Sequence, residues 1–159
     1  IKVQHELEPV YNKSSNILIL GSLPSIKSRE EKFYYAHPQN KFWKILAEVY
    51  NENIPTTIND KKQFLMKHQI ALWDVIESCT IIGSSDSSIK DVIPNNIKGL
   101  IEKTKITKVY TTGKVAYNLY NKYIYEETKI KAIYLPSTSP ANASISYDKI
   151  LNEYKKIRN

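Results

Sequence analysis

Apolar residues in this chain fall into two patterns, short continuous runs and longer stretches with a helical period. Ile17-Leu-Ile-Leu20 is a continuous run that stops abruptly at Gly21 and Pro24, as suits a strand buried on both faces of a sheet. Ile70-Ala-Leu-Trp-Asp-Val-Ile76 reads as a second strand, Lys108-Val-Tyr-Thr111 as a third, and Lys131-Ala-Ile-Tyr-Leu135, ended by Pro136, as a fourth. Between them the spacing turns helical. Phe42, Ile45, Leu46 and Val49 predict a helix over about residues 41–50, with Asn40 as its cap. Residues 60–68 carry a short helical pattern through Phe64 and Leu65, and Pro94-Asn-Asn96 opens a helix through Ile97, Leu100 and Ile101. Thr112 is placed to cap a helix bearing Val115, Ala116, Leu119, Tyr120 and Tyr123, and Tyr147, Ile150, Leu151, Tyr154 and Ile157 line the last one.

Strands that alternate with helices imply parallel units joined by right-handed crossovers. The expected fold is therefore α/β, a three-layer α/β/α sandwich around a four-stranded parallel sheet, with residues 1–159 forming one domain. No internal repeat or linker interrupts it. In such open sheets ligands bind beyond the carboxyl ends of the strands. Residues 21–40, 83–88 and 135–144 all follow strands and should converge on one edge, with 83–88 the most flexible-looking stretch.

Composition narrows the function classes. A net charge of +7 and a pI near 9.3 suit a polyanionic partner such as nucleic acid or an anionic membrane surface. Plain solubility accounts for the charge equally well. No apolar run approaches the roughly 20 residues of a membrane span and no secretory leader is visible, so a cytoplasmic protein is expected. Cys79 is the sole cysteine, which excludes an intrachain disulfide and a cysteine-held zinc or iron–sulfur site. Thr112-Gly-Lys114 echoes a phosphate loop but lacks the earlier glycine, and no Gly-x-Gly-x-x-Gly is present. With three scattered histidines, zinc hydrolysis finds no support either, so neither metal nor cofactor is expected.

Residues in the strand-end loops carry the candidate chemistry, each with an ordinary structural alternative. An asparagine before an amphipathic run is a good N-cap, yet at a strand-end cleft the amide of Asn40 also lies where a water or developing charge is held. Tyr35 alone would be an ordinary core or surface aromatic. His37 precedes Pro38, which keeps it extended, and a structural hydrogen bond across the loop is its expected role. Leu135-Pro-Ser-Thr-Ser-Pro140 reads as a strand-ending turn, although Ser137, Thr138 and Ser139 offer hydroxyls and amides suited to phosphates.

Gly21-Ser-Leu-Pro-Ser25, Tyr35-Ala-His-Pro-Gln-Asn-Lys-Phe-Trp43 and Leu135-Pro-Ser-Thr-Ser-Pro-Ala-Asn142, in that order, resemble the signature loops of the uracil-DNA glycosylase superfamily, and within it the hypoxanthine-DNA (DNA-deoxyinosine) glycosylases. The resemblance runs over roughly residues 16–154 and implies the same three-layer architecture. It also implies a pocket floored by Gly21, Ser22, Leu23 and Pro24, with His37 nearby and Tyr35 stacked on an extruded base. Stacking replaces the neighbours that any flipped base loses. Asn40 falls on the asparagine that carries catalysis in the hypoxanthine branch. The 135–142 loop falls on the segment that enters the DNA minor groove, with Ser137, Thr138 and Ser139 against phosphates and Ala141 or Ile145 as the wedge. Lys41, Lys114 and Lys27 are the candidate backbone contacts.

The implied activity is a monofunctional DNA glycosylase acting on deaminated bases in double- or single-stranded DNA, hypoxanthine first, as a monomer. No residue is an obvious amine nucleophile in the site, so strand cleavage through a Schiff base is not expected. A uracil or mismatch glycosylase, a non-catalytic binder of damaged DNA and, further off, a small-molecule α/β protein are the alternatives. Two departures bear on substrate. Leu23 stands where mismatch enzymes have a water-positioning asparagine, and Leu135 where uracil-specialised members have a histidine that stabilises the leaving anion. Deoxyinosine should accordingly be excised faster than deoxyuridine from matched duplexes. A uracil rate higher by about tenfold, about 1.4 kcal/mol of barrier, would overturn the branch but not the class.

Overall fold

A computed structural model describes residues 2–81, 88–142 and 144–158. Its centre is a four-stranded parallel sheet ordered β3-β2-β6-β7, built from β2 (Ile17–Gly21), β3 (Ile70–Asp74), β6 (Lys108–Thr112) and β7 (Ala132–Leu135). In β2, Leu18, Ile19 and Leu20 are fully buried, because this strand lies inside the sheet with helices over both faces. Ile19 meets one layer, formed by α2 (Phe42–Val49), α3 (Ile58–Lys67) and α7 (Tyr147–Tyr154) through Phe42, Ile45, Leu46, Leu65, Ile150 and Tyr154. Leu18 and Leu20 meet the opposite layer, formed by α4 (Ile97–Glu102), α5 (Lys114–Tyr123) and α6 (Tyr125–Thr128) through Ile97, Leu100, Tyr120 and Ile124. The expected three-layer sandwich is therefore present.

Local signals explain most boundaries. Thr57 caps α3 in a reciprocal pair with Asp60, which starts that helix two residues before the expected position. Asn96 accepts from Gly99 N–H and caps α4. After α7 the chain tightens into a 3₁₀ turn over Lys155–Arg158.

Three expectations need correction. The 70–76 run is not one strand. β3 ends at Asp74, and β4 (Ile76–Thr80) enters a second, antiparallel sheet ordered β1-β4-β5, with β1 (Lys2–Gln4) and β5 (Lys90–Pro94). Buried Asn95 holds that crossing, donating from Nδ2 to the carbonyls of Asp74 and Ile76 at 2.9 and 3.2 Å. Its sequence neighbours suggested only a helix start. Residues 21–40 are not all loop, because α1 (Ile26–Glu31) forms within them, capped by Ser25. Thr112 does not cap α5; Gly113, at φ 87°, takes that place. Of the 83–88 stretch, residues 83–87 lie outside the described residues. Among the described residues no helix is long and apolar enough to cross a membrane.

The layering makes a stability prediction. Leu18→Ala should cost about 2–5 kcal/mol in urea denaturation, since it empties a site between the sheet and α4–α5. Ile93→Ala, at a side chain that is 52% exposed, should stay within about 0.5 kcal/mol of wild type.

Candidate active site

Parallel pairing brings the carboxyl ends of the strands level. Gly21 lies opposite Asp74 and Thr112 opposite Leu135. The ladder then runs on, with Val75 N–H donating to Gly21 O at 2.8 Å and Ile76 N–H to Ser22 O at 3.1 Å. Gly21 is required here by close approach. A Cβ at that position would collide with Asp74 Oδ1, and the Tyr35 hydroxyl lies 3.4 Å from the same point. Pro24 is buried and Ser22 and Leu23 partly buried beneath this corner.

Tyr35 occupies the left-handed backbone region at φ 53°, which is uncommon for a bulky residue. Both flanking peptide groups are held by side chains. Ala36 N–H donates to Ser28 Oγ at 3.1 Å, and Trp43 Nε1–H donates to Tyr34 O at 3.1 Å. Ser28 is itself 2% exposed and anchored in α1. The outcome is a Tyr35 ring lying flat on Phe42, with centroids 3.8 Å apart and planes 14° apart. Thr112 Oγ1 donates to Leu20 O, so the Tyr35 hydroxyl donates to Thr112 Oγ1, each at 3.4 Å. Burial, and next the Asp74 carboxylate, push the Tyr35 phenol well above its ordinary range, so it stays a donor.

Asn40 performs the capping contact from one residue ahead of the backbone cap position. Its Oδ1 accepts from Phe42 N–H at 2.9 Å, while Lys41 fills the backbone cap position without a side-chain bond. That bond fixes which amide atom is oxygen. One lone pair of Oδ1 and both N–H donors remain. His37 makes a local turn rather than the expected bond across the loop: Nδ1 accepts from Gln39 N–H at 3.0 Å and its carbonyl accepts from Asn40 N–H at 2.9 Å.

The 135–142 loop meets the same corner. Lys41 N–H donates to Thr138 O at 3.2 Å, and Gly113 N–H donates to Leu135 O at 2.8 Å. Its hydroxyls are largely used within the loop: Ser137 Oγ accepts from Ser139 N–H, and Ser139 Oγ from Ala141 N–H. Fully buried Tyr154 donates to Pro136 O at 2.7 Å. Thr138 is 2% exposed, so its side chain faces inward, contrary to the expectation that it meets phosphate. Leu135 is a core residue at 0% exposure. Ala141 is exposed, whereas Ile145 packs against the core. Lys114 is exposed at the start of α5, and Lys27 pairs with Glu31 at 3.0 Å.

One pair escaped the sequence reading. Asp74, 3% exposed, accepts from His5 Nε2 at 2.7 Å. A lone carboxylate inside the apolar 70–76 run was the available signal; nothing in the sequence links it to His5, 69 residues earlier.

The chain is similar to known proteins over most of its length. A family model described as the Uracil DNA glycosylase superfamily matches residues 8–159. A hypoxanthine DNA glycosylase of Methanosarcina acetivorans is 37% identical over 141 residues, covering 86% of this chain and 87% of that one. A hypoxanthine DNA glycosylase of Methanosarcina barkeri is 37% identical over 84 residues, covering 52% and 53%. The solution NMR structure of a Methanosarcina acetivorans protein, provisionally named a uracil DNA glycosylase, superposes with a TM-score of 0.83 at 29% identity over 100% of both chains.

The crowding at Gly21 is testable by a double-mutant cycle. Gly21→Ala should destabilise by about 1–3 kcal/mol in urea. In an Asp74→Ala background the same change should cost less, with a coupling of about 0.5–3 kcal/mol. Equal cost in both backgrounds would mean that the carboxylate is not what requires glycine there.

Proposed function

This chain belongs to the uracil DNA glycosylase superfamily, and from that premise we propose that it is a monofunctional DNA glycosylase that excises deaminated bases, hypoxanthine first. The observation that carries the reading is the aromatic step at the strand ends. Tyr35 lies flat on Phe42 beside Gly21, and in this reading its second ring face takes a base drawn out of its stack. Stacking of that kind is worth about 1–3 kcal/mol per base. The names of the two Methanosarcina relatives support hypoxanthine as the base.

In the proposed reaction the N9–C1′ bond of deoxyinosine breaks and the base leaves with the bonding electrons. A water oxygen adds to C1′ and loses a proton, which ends on the departed base, leaving neutral hypoxanthine and an abasic sugar. Asn40 orients that water through the free lone pair of Oδ1 or through Nδ2–H, and its dipole offsets the cationic character of the sugar. Ser22, Leu23 and Pro24 form the floor, while His37 braces the Asn40 turn. Ser137 and Ser139 shape a loop that presents exposed Ala141 to the duplex, with Lys41 and Lys114 beside it for phosphates. DNA is the partner, and the chain acts as one domain and as a monomer.

Duplexes carrying one deoxyinosine, deoxyuridine or deoxyxanthosine, treated with alkali after incubation, test the activity directly. Cleavage at deoxyinosine is expected, and none at any of the three would overturn the reading. Asn40→Ser keeps a capping oxygen, so it should fold within about 1 kcal/mol of wild type yet lose on the order of 100-fold in single-turnover rate. A rate within about threefold of wild type, when one lost donor ordinarily costs 100-fold, would leave Asn40 as a cap only. DNA affinity should also fall steeply with salt through counterion release. A binding constant unchanged between low and physiological salt would make the basic surface incidental.

A further inference from the structure

We infer that His5 is a positioning residue for the proposed base pocket: it holds the Asp74 carboxylate as a fixed acceptor against Gly21, beside the floor, where it favours bases bearing a ring N–H. This deepens the function proposed above and rests on it.

The tautomer follows from the contacts. Leu7 N–H donates to His5 Nδ1 at 3.2 Å, so Nδ1 carries no proton. The ring proton therefore sits on Nε2, which donates to Asp74 Oδ2 at 2.7 Å. Charging the ring would place two N–H groups against each other at Nδ1. The backbone of His5 is fixed as well, its N–H donating to Glu77 O at 2.6 Å as the β1–β4 ladder continues. The antiparallel sheet thus delivers a histidine, from outside the 8–159 stretch that matches the family, to the corner behind Gly21 and Asp74. The side chains of this pair are 1% and 4% exposed.

Asp74 Oδ1, the other oxygen, faces Gly21 and the neighbourhood of the Tyr35 hydroxyl. Among the described residues the titratable groups around Asp74 are His5 from the β1 side and the phenols of Tyr34 and Tyr35, both made harder to ionise by burial and next by its charge, with Glu8 beyond Tyr34. Among the described residues no lysine or arginine pairs with it. Ionised, Asp74 can only accept. Deamination of adenine turns N1 from an acceptor into an N–H donor, and deamination of cytosine does the same at N3. An acceptor-only group beside the floor therefore favours hypoxanthine and uracil, and repels the ring lone pairs of adenine and cytosine. Unpaired polar groups of this kind discriminate strongly in a closed site.

Single-turnover release of hypoxanthine, followed from about pH 5.5 to 9 to bracket the acid limb, tests this in wild type, His5→Ala, His5→Gln and Asp74→Asn. Removing the donor leaves a buried carboxylate that takes up a proton more readily. The protonated form no longer serves, so in His5→Ala the acid limb should move up. His5→Gln supplies an N–H at similar reach and should restore the wild-type limb. A merely structural histidine would lower the rate equally at every pH, and an unshifted limb in folded His5→Ala would overturn the inference. Asp74→Asn, nearly isosteric, should lose at least about tenfold in hypoxanthine release and bind adenine-containing duplex relatively better. Release within about threefold of wild type, against the tenfold or more expected, would also overturn it. Nitrogen chemical shifts of His5 give a reading independent of turnover: Nδ1 unprotonated and Nε2 protonated is expected, and a charged or Nδ1-protonated ring would refute the lock. Wild-type protein that releases no base would overturn both the function and this inference. Release with an unshifted His5→Ala limb would overturn the inference alone.

Discussion

Burial of β2 on both faces between two parallel neighbours is the constraint from which the rest of the site follows. A strand in that position has every backbone group paired and every side chain covered, so its register is closely specified. Ile17 is fixed opposite Ile70 and Lys108, and Gly21 therefore lies opposite Asp74. The loops after β2, β6 and β7 leave the sheet at one level. Their convergence is a consequence of pairing in the core, and Lys41 N–H to Thr138 O and Gly113 N–H to Leu135 O are the seams that close it.

At that level the chain spends strain on one aromatic. A left-handed tyrosine costs on the order of 1–3 kcal/mol, and it persists because neighbours over-determine it. Ser28 and Trp43 hold the peptide groups on either side, and Tyr34 is tied by its hydroxyl to Glu8 O at 2.8 Å. Phe42 supplies the floor on which the ring rests. α1 is thus more than a detour within residues 21–40, since it is the element that carries Ser28. Burial, and next the charge of Asp74, keeps the Tyr35 phenol protonated, and its hydroxyl bonds Thr112.

The parallel sheet and its helices were legible in the sequence because both signals are local. Ile17–Leu20 and Lys108–Thr111 read as strands, and Phe42, Ile45, Leu46 and Val49 read as one face of α2. The cap at Asn40 was legible to within one residue, whereas His37 bonds only two residues along the chain and not across the loop. The antiparallel sheet was not legible. β1 and β5 are short, half-exposed edges without clean alternation, and their pairing is settled by contacts far apart in sequence. The end of β3 at Asp74 depends on Asn95, 21 residues later, and Thr112 looked like a cap because nothing local reveals that its hydroxyl turns to Leu20 O. The pairing of His5 with Asp74 was invisible for the same reason.

Rigidity in the 135–142 loop decides how it can work. Serines and a threonine beside prolines suggest a loop rich in free hydroxyls, yet Ser137 and Ser139 bond the loop's own amides, Asn142 Nδ2 donates to Ser137 O at 3.0 Å, and Thr138 is buried. Tyr154 anchors its root at Pro136. Segments ordered in advance lose little conformational entropy on association, so a loop of this kind suits insertion beside a lost base better than a mobile one. In the proposed function its tip would act by shape, through exposed Ala141, while charge would come from the flanking Lys41 and Lys114. Such a division separates the two requirements of a search along DNA. Lysines hold any sequence through phosphate attraction, and the preformed loop with the Tyr35–Phe42 step engages only where a base leaves its stack at little cost.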